Sequence, residues 1–310
     1  MSILSGLESY GLDTIIGADL YEKEQAEEFK KIEDEQRRIR RERFNKYGGA
    51  LMSEDDYVFL KSQKCPCCYK DFKNTTMRSN KARLVSQDLD LRPRYNKIDP
   101  VKYDVISCPH CGYSALSRFF DKLTSPQAKL IKADISSRYK PVSTGIVLSY
   151  DEAYSRYQLS LGNAIVKKAK PSEKAYICLK MAWIMRGKYE ELEKNSSFKD
   201  PGMTGDKGRA SESEIINEIK DCKEAEQELL EKAFEGFMDA RQNEISPICG
   251  MDNITLDYLL SALAYETKNR EVAAKLVSQI LIKQGISSRI KDNARALKDM
   301  IIADIKNEQG

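Results

Sequence analysis

Eight cysteines occur in this chain, and five of them fall in two short turns, Cys65-Pro66-Cys67-Cys68 and Cys108-Pro109-His110-Cys111-Gly112. A C-x-x-C turn presents two sulfurs near the edge length of the tetrahedron that Zn2+ prefers, with Zn–S bonds of about 2.3 Å. Two such turns therefore close a four-thiolate site. The expected ligands are Cys65, Cys68, Cys108 and Cys111 around one structural Zn2+. Such a site holds structure and performs no chemistry, because it keeps no open position for water or substrate. Pro66 and Pro109 preset the turns, and Gly112 can adopt positive φ at no steric cost. Cys67 adds a third thiol to the first turn, as a substitute ligand, a redox-sensitive neighbour or an outward-pointing spare. His110, the only histidine, reads as a solvent-facing residue of its turn, with ligation or a supporting contact to a ligand as the alternative. Short strands must feed both turns if they are to meet.

The chain has 310 residues, 41% hydrophobic and 32% charged. That is enough for two domains with a sizeable core in the larger one. No run of about 18 apolar residues is present to span a bilayer, so no membrane contact is expected. Met1 to Leu20 lacks a charged leader, a long apolar core and a cleavage site. The cysteines have metal spacing and do not form a disulfide framework, so the expected compartment is a reducing cytoplasm. Charge divides unevenly. Residues 1–60 hold 9 basic and 14 acidic side chains, residues 61–103 hold 11 and 4, and residues 104–310 hold 31 and 30. The basic surplus surrounds the first cysteine turn, where phosphates or an acidic partner would be sought.

The elements that must position these turns can be placed from pattern. Residues 1–52 read as a charged helical extension, with Glu22, Glu24, Glu27 and Glu28 early and Arg37 to Arg43 late, an order that suits the helix dipole. Residues 53–120 read as a zinc-ribbon-like module, with strand character from Arg83 to Tyr95 and from Tyr103 to Ser107. Residues 121–310 read as a tetratricopeptide-like helical array. Thr124-Ser125-Pro126 starts a helix, and apolar periodicity predicts helices over 151–168, 172–190, 212–242, 255–266, 270–283 and 288–305. A polar insertion near 195–211 carries Gly202, Gly205 and Gly208. It reads as a mobile loop and not as a phosphate loop, because no strand precedes it. Leu260, Ser261, Ala264, Ala273, Val277 and Ile280 sit at the offsets of one 34-residue repeat. Trp183, Ala233, Phe237 and Ala240 mark an interrupted second copy. The expected fold class is α+β, mostly α.

Several linked motifs run through this region: Cys65-Pro66-x-Cys68, Arg78-Ser79, Lys81-x-Arg83, Asp88-x-Asp90-Leu91-Arg92-Pro93-x-Tyr95, Asp99-Pro100-x-x-Tyr103 and Cys108-Pro109-x-Cys111-Gly112-Tyr113-Ser114-Ala115. Together with Ala182-Trp183-x-x-Arg186, they resemble the bacterial proteins grouped as domain of unknown function 2225, over residues from about 57 to 305. The resemblance implies a zinc ribbon joined to tetratricopeptide-like helices and assigns no biochemical role. The first 50 residues extend beyond that family's usual start. Cys67 and Tyr69 depart from its pattern at the first turn.

The residues support three functional readings. The first is a non-catalytic zinc-binding adaptor or scaffold whose helical array binds a protein or peptide. In it Arg186 is either a groove contact for an acidic partner or half of a helix-end salt bridge. The second is a nucleic-acid-associated protein in which Lys70, Lys73, Arg78, Lys81, Arg83, Arg92 and Arg94 contact phosphates while Tyr69, Phe72 and Tyr95 stack on bases. The third is an enzyme. The chain has no nucleophile, histidine and acid trio and no open zinc site, so no catalytic residue is nominated. Asp88, Asp90, Asp99 and Asp104 could form a catalytic or second-metal cluster. The preferred reading is salt-linked support, with Asp88 and Asp90 on one face of a strand beside Arg92 and Arg94.

Overall fold

The computed structural model describes residues 31, 34–35, 38–39, 53–78, 81–142, 144–197 and 212–309. Most of the charged extension and most of the 195–211 insertion lie outside these residues. The chain divides into two units, Met1–Asp56 and Tyr57–Gly310, and every element named below belongs to the second.

Three antiparallel hairpins come first. β1 (Val58–Lys64) pairs with β2 (Asp71–Met77), with Val58 opposite Met77 and Lys64 opposite Asp71. β3 (Leu84–Gln87) pairs with β4 (Pro93–Tyr95), and β5 (Val105–Ser107) pairs with β6 (Ser114–Leu116). The expected strand from Arg83 to Tyr95 is thus a hairpin, and Asp88 and Asp90 lie in its turn, not on a strand face. The short strands expected to feed the first cysteine turn are β1 and β2, and Phe72 and Thr75-Thr76 are good strand formers there.

A two-stranded hairpin is marginal by itself, so each one leans on helices. Phe72 of β2 meets Phe120 at 6.1 Å, and Tyr113 meets Phe120 at 5.0 Å. Phe120 ends the short helix α1 (Ser117–Phe120). Helix α2 (Ser125–Ile131) opens on a Thr124–Gln127 capping box and continues as a π-helical turn over Lys132–Ser136.

The remaining helices are α3 (Tyr150–Val166), α4 (Pro171–Ser197), α5 (Glu212–Asn243), α6 (Asn253–Glu266), α7 (Arg270–Ile282) and α8 (Ser288–Gln309). Their starts follow from capping chemistry. Ser149 accepts from the Glu152 amide while Glu152 reaches back to the Ser149 amide, and Asp252 and Asn269 accept from the Thr255 and Val272 amides.

One core lies between α4 and α5, where Ala182, Ile184, Ala233, Phe237 and Ala240 are fully buried. Gly236 permits that approach: a Cβ there would stand 2.8 Å from the Ala175 Cβ. A second core joins α6, α7 and α8 through Ala264, Ala273, Val277, Ile280, Ala294 and Leu297.

Candidate metal centre

The first cysteine turn tips the β1–β2 hairpin, and the second tips β5–β6. Both follow the same backbone course. The Cys65 amide bonds to Lys70 O at 3.0 Å and the Tyr69 amide to Cys65 O at 2.9 Å; the Cys108 amide bonds to Tyr113 O at 2.9 Å and the Gly112 amide to Cys108 O at 3.0 Å. The residue after the second cysteine is left-handed in each, Tyr69 at φ 65° and Gly112 at φ 72°.

These matched turns bring the sulfurs of Cys65, Cys68, Cys108 and Cys111 within 4.8 Å of one another. Across the turns, Cys65 Sγ lies 3.6 Å from Cys111 Sγ and Cys68 Sγ lies 3.7 Å from Cys108 Sγ. A tetrahedron with bonds of about 2.3 Å has edges of about 3.8 Å, so the sulfur set fits a thiophilic ion. Hydrogen bonds with Cys108 and Cys65 hold the Cys111 thiol below its ordinary range. None of the eight cysteines is joined in a disulfide.

Cys67 is not an outward-pointing spare. It is 0% exposed, with its sulfur 3.9 Å from Ala128 O, and burial, followed by the neighbouring Cys111 and Cys65, pushes its thiol up to about 12. It packs under the turn, outside the four-sulfur set. His110 stands apart from that set as well, half-buried with Nε2 3.2 Å from Asp71 O. The helices grip the second turn from behind: Ser136 Oγ donates to Cys111 O at 2.8 Å, and Asn163 Nδ2 donates to Gly112 O at 3.0 Å.

A second constellation lies where the β3–β4 hairpin meets α4, α5 and α6. Arg186 of α4 spends its guanidinium on Glu226 at 2.5 Å, Asp90 at 3.0 Å, Asp88 at 3.3 Å and Glu266 at 3.6 Å. Trp183 Nε1 donates to Asp90 Oδ2 at 2.7 Å. Arg94 bridges Asp88 at 2.6 Å and Glu190 at 2.5 Å, and Arg92 bridges Asp99 at 2.7 Å and Glu190 at 3.5 Å. The aspartates therefore give salt-linked support, and the support reaches into the helices. Burial opposes ionisation of Asp88, but Arg94, Arg186 and Arg92 together outweigh it and hold the carboxyl below its usual range. Glu266 goes the other way: burial first, and Asp90 next, push it up to about 8. Its Oε2 is buried without a hydrogen-bond partner among the described residues.

This arrangement places the other sequence-nominated residues. Arg186 is buried in mid-helix and faces four carboxylates, neither an open groove nor a helix end. Arg92 is 2% exposed and Arg94 is bound at both ends, so neither guanidinium is presented to a phosphate backbone. Lys70, Lys81 and Arg83 are exposed and Lys73 is half-exposed, whereas Arg78 donates to Val58 O and stacks on Phe59 at 4.9 Å. Glu190, Glu226 and Glu266 escaped the sequence reading. Each looks like an ordinary helix-surface acid, and only the arginine spacing hinted that partners were needed.

No helix of the described residues is long and apolar enough to cross a membrane. Among known proteins, no curated protein and no solved structure matches the chain. A family model described as an uncharacterized protein conserved in bacteria, DUF2225, matches residues 58–301, a span that takes in both cysteine turns, the Asp88–Arg94 turn and the Trp183–Arg186 helix. The chain belongs to that family.

Proposed function

We propose that the protein is a non-catalytic adaptor whose folded platform is stabilised by one Zn2+ on Cys65, Cys68, Cys108 and Cys111. The observation that carries this reading is the closed set of four sulfurs, two from each turn, within 4.8 Å. Four thiolates fill the coordination of Zn2+ and leave no position for a reacting water. The ion would tie β1–β2 to β5–β6 and so fix the strand end of the molecule. On the helical side we read α4–α5 and α6–α7 as two tetratricopeptide-like pairs. Supporting this, the small and large residues of the repeat offsets, from Ala233 and Phe237 to Ala264, Ala273 and Ile280, are all buried. Arrays of this kind present extended surfaces to peptide segments.

Cross-linked capture from the native cell, run with and without nuclease, tests the partner class. The adaptor reading expects the same defined proteins in both arms. Loss of every captured protein on nuclease treatment would sink it in favour of nucleic-acid association.

A further inference from the structure

Away from the cysteines, a cavity of about 560 Å3 opens between the β1–β2 hairpin and the first turns of α4. That volume is in the range of small-molecule sites. One wall is a face of the hairpin: Lys61 sits opposite Asn74 in register, and Gln63 and Thr76 follow at the two-residue spacing that keeps side chains on one face. The facing wall is Tyr176 and Lys180, one turn apart on α4, and Tyr95, Val101, Tyr103 and Ile106 add aromatic and apolar surface.

The charges in this cavity do not balance. Lys180 is satisfied, because its ammonium lies 2.7 Å from Asp104 and over the rings of Tyr176 and Trp183 at 4.8 and 5.5 Å. The other Asp104 oxygen accepts from Ser117 Oγ. Lys61 and Arg118 also line the space, and neither has a carboxylate within ion-pair distance among the described residues. Arg118 lies 5.2 Å over the Tyr176 ring and packs against Gly250, where an added Cβ would come within 3.0 Å of its Nη1. It is held in place without being neutralised. Three cations and one carboxylate leave a surplus of two positive charges.

We infer that this cavity binds a phosphate monoester carried on a small organic body. A monoester bears about −1.5 to −2 charges at pH 7, which matches Lys61 plus Arg118. A single carboxylate would leave one of those cations unmatched. The guanidinium fork suits two phosphate oxygens, and the lysine acts as a point charge. The amides of Gln63 and Asn74, the Thr76 hydroxyl and the tyrosine walls offer contacts that bare phosphate could not use.

Calorimetric titration of the full-length chain, purified without chelator, tests this with ribose 5-phosphate, AMP, adenosine and inorganic phosphate. Both monoesters are expected to bind, adenosine is not, and inorganic phosphate should bind at least tenfold more weakly than ribose 5-phosphate. Lys61→Gln and Arg118→Gln should each weaken the monoesters tenfold or more, whereas Lys70→Gln, outside the cavity, should change nothing. Lys61 is exposed on β1, so Lys61→Gln should keep the parent melting temperature and report on binding alone. No binding of either monoester at millimolar concentration, unchanged affinity in both cavity variants, or adenosine binding as tightly as AMP would overturn the proposal. Equal affinity for inorganic phosphate and ribose 5-phosphate would overturn the organic body.

Discussion

At the residue scale, the two cysteine turns solve one backbone problem with different side chains. Left-handed φ costs a non-glycine residue about 1–2 kcal/mol, and Tyr69 accepts that cost at φ 65°. Part of it is offset by the Lys132 ammonium, 5.6 Å from the Tyr69 ring, a contact worth about 0.5–1 kcal/mol at an exposed site. Tyr69→Gly should therefore raise stability by about 0.5 kcal/mol in urea unfolding. Gly112→Ala should do the opposite and cost about 2–4 kcal/mol, from left-handed strain plus overpacking. Its new Cβ would sit 2.6 Å from ring atoms of Tyr139. Equal midpoints for the two variants would refute this account of the turns. The four ligand candidates were plain in the sequence because C-x-x-C spacing is local. The burial of Cys67 was not, since it depends on Ala128 of α2, which reaches the turn only after the chain has folded.

At the element scale, helices were legible and hairpins were not. Capping residues such as Ser149 and Asp252, with apolar positions at helical spacing, fix helix starts within a few residues of sequence. α4 and α8 run on past their expected ends, to Ser197 and Gln309, through polar turns that carry no apolar signal. Strand pairing and the buried ion pairs rest on partners far apart along the chain. Arg186 and Asp88 are 98 residues apart, and no local pattern encodes that register. This network is what joins the β3–β4 hairpin to three helices. Removing one partner of a buried pair strands the other, at a cost of about 3–5 kcal/mol. Arg186→Ala and Asp90→Ala should each fall in that range, and the double variant should cost clearly less than the sum of the two. Strict additivity in denaturant unfolding would show that the two side chains do not act together.

At the scale of the whole molecule, pH and metal test how the parts depend on one another. Glu266 carries a raised pKa of about 8, against an unfolded value of about 4.3. The folded state therefore holds this proton more tightly. Its stabilisation is complete below about pH 4.3 and is lost as pH rises through about 8. Asp88 and Glu190 are held low, so their contribution is lost only as pH falls below the ordinary carboxylate range. Between pH 5 and 8 the melting temperature of Glu266→Gln should therefore rise relative to that of the parent as pH increases, because the variant has no proton to lose there. A constant difference between the two across that window would place the ionisation elsewhere. The central claim is that one Zn2+ on four thiolates fixes the strand end of the platform. Elemental analysis of the purified chain beside its Cys108→Ser and Cys67→Ser variants tests it most directly. The account predicts one equivalent of zinc in the parent and in Cys67→Ser, and its loss in Cys108→Ser. A parent chain without zinc, or a Cys108→Ser variant that retains the full equivalent, would contradict it.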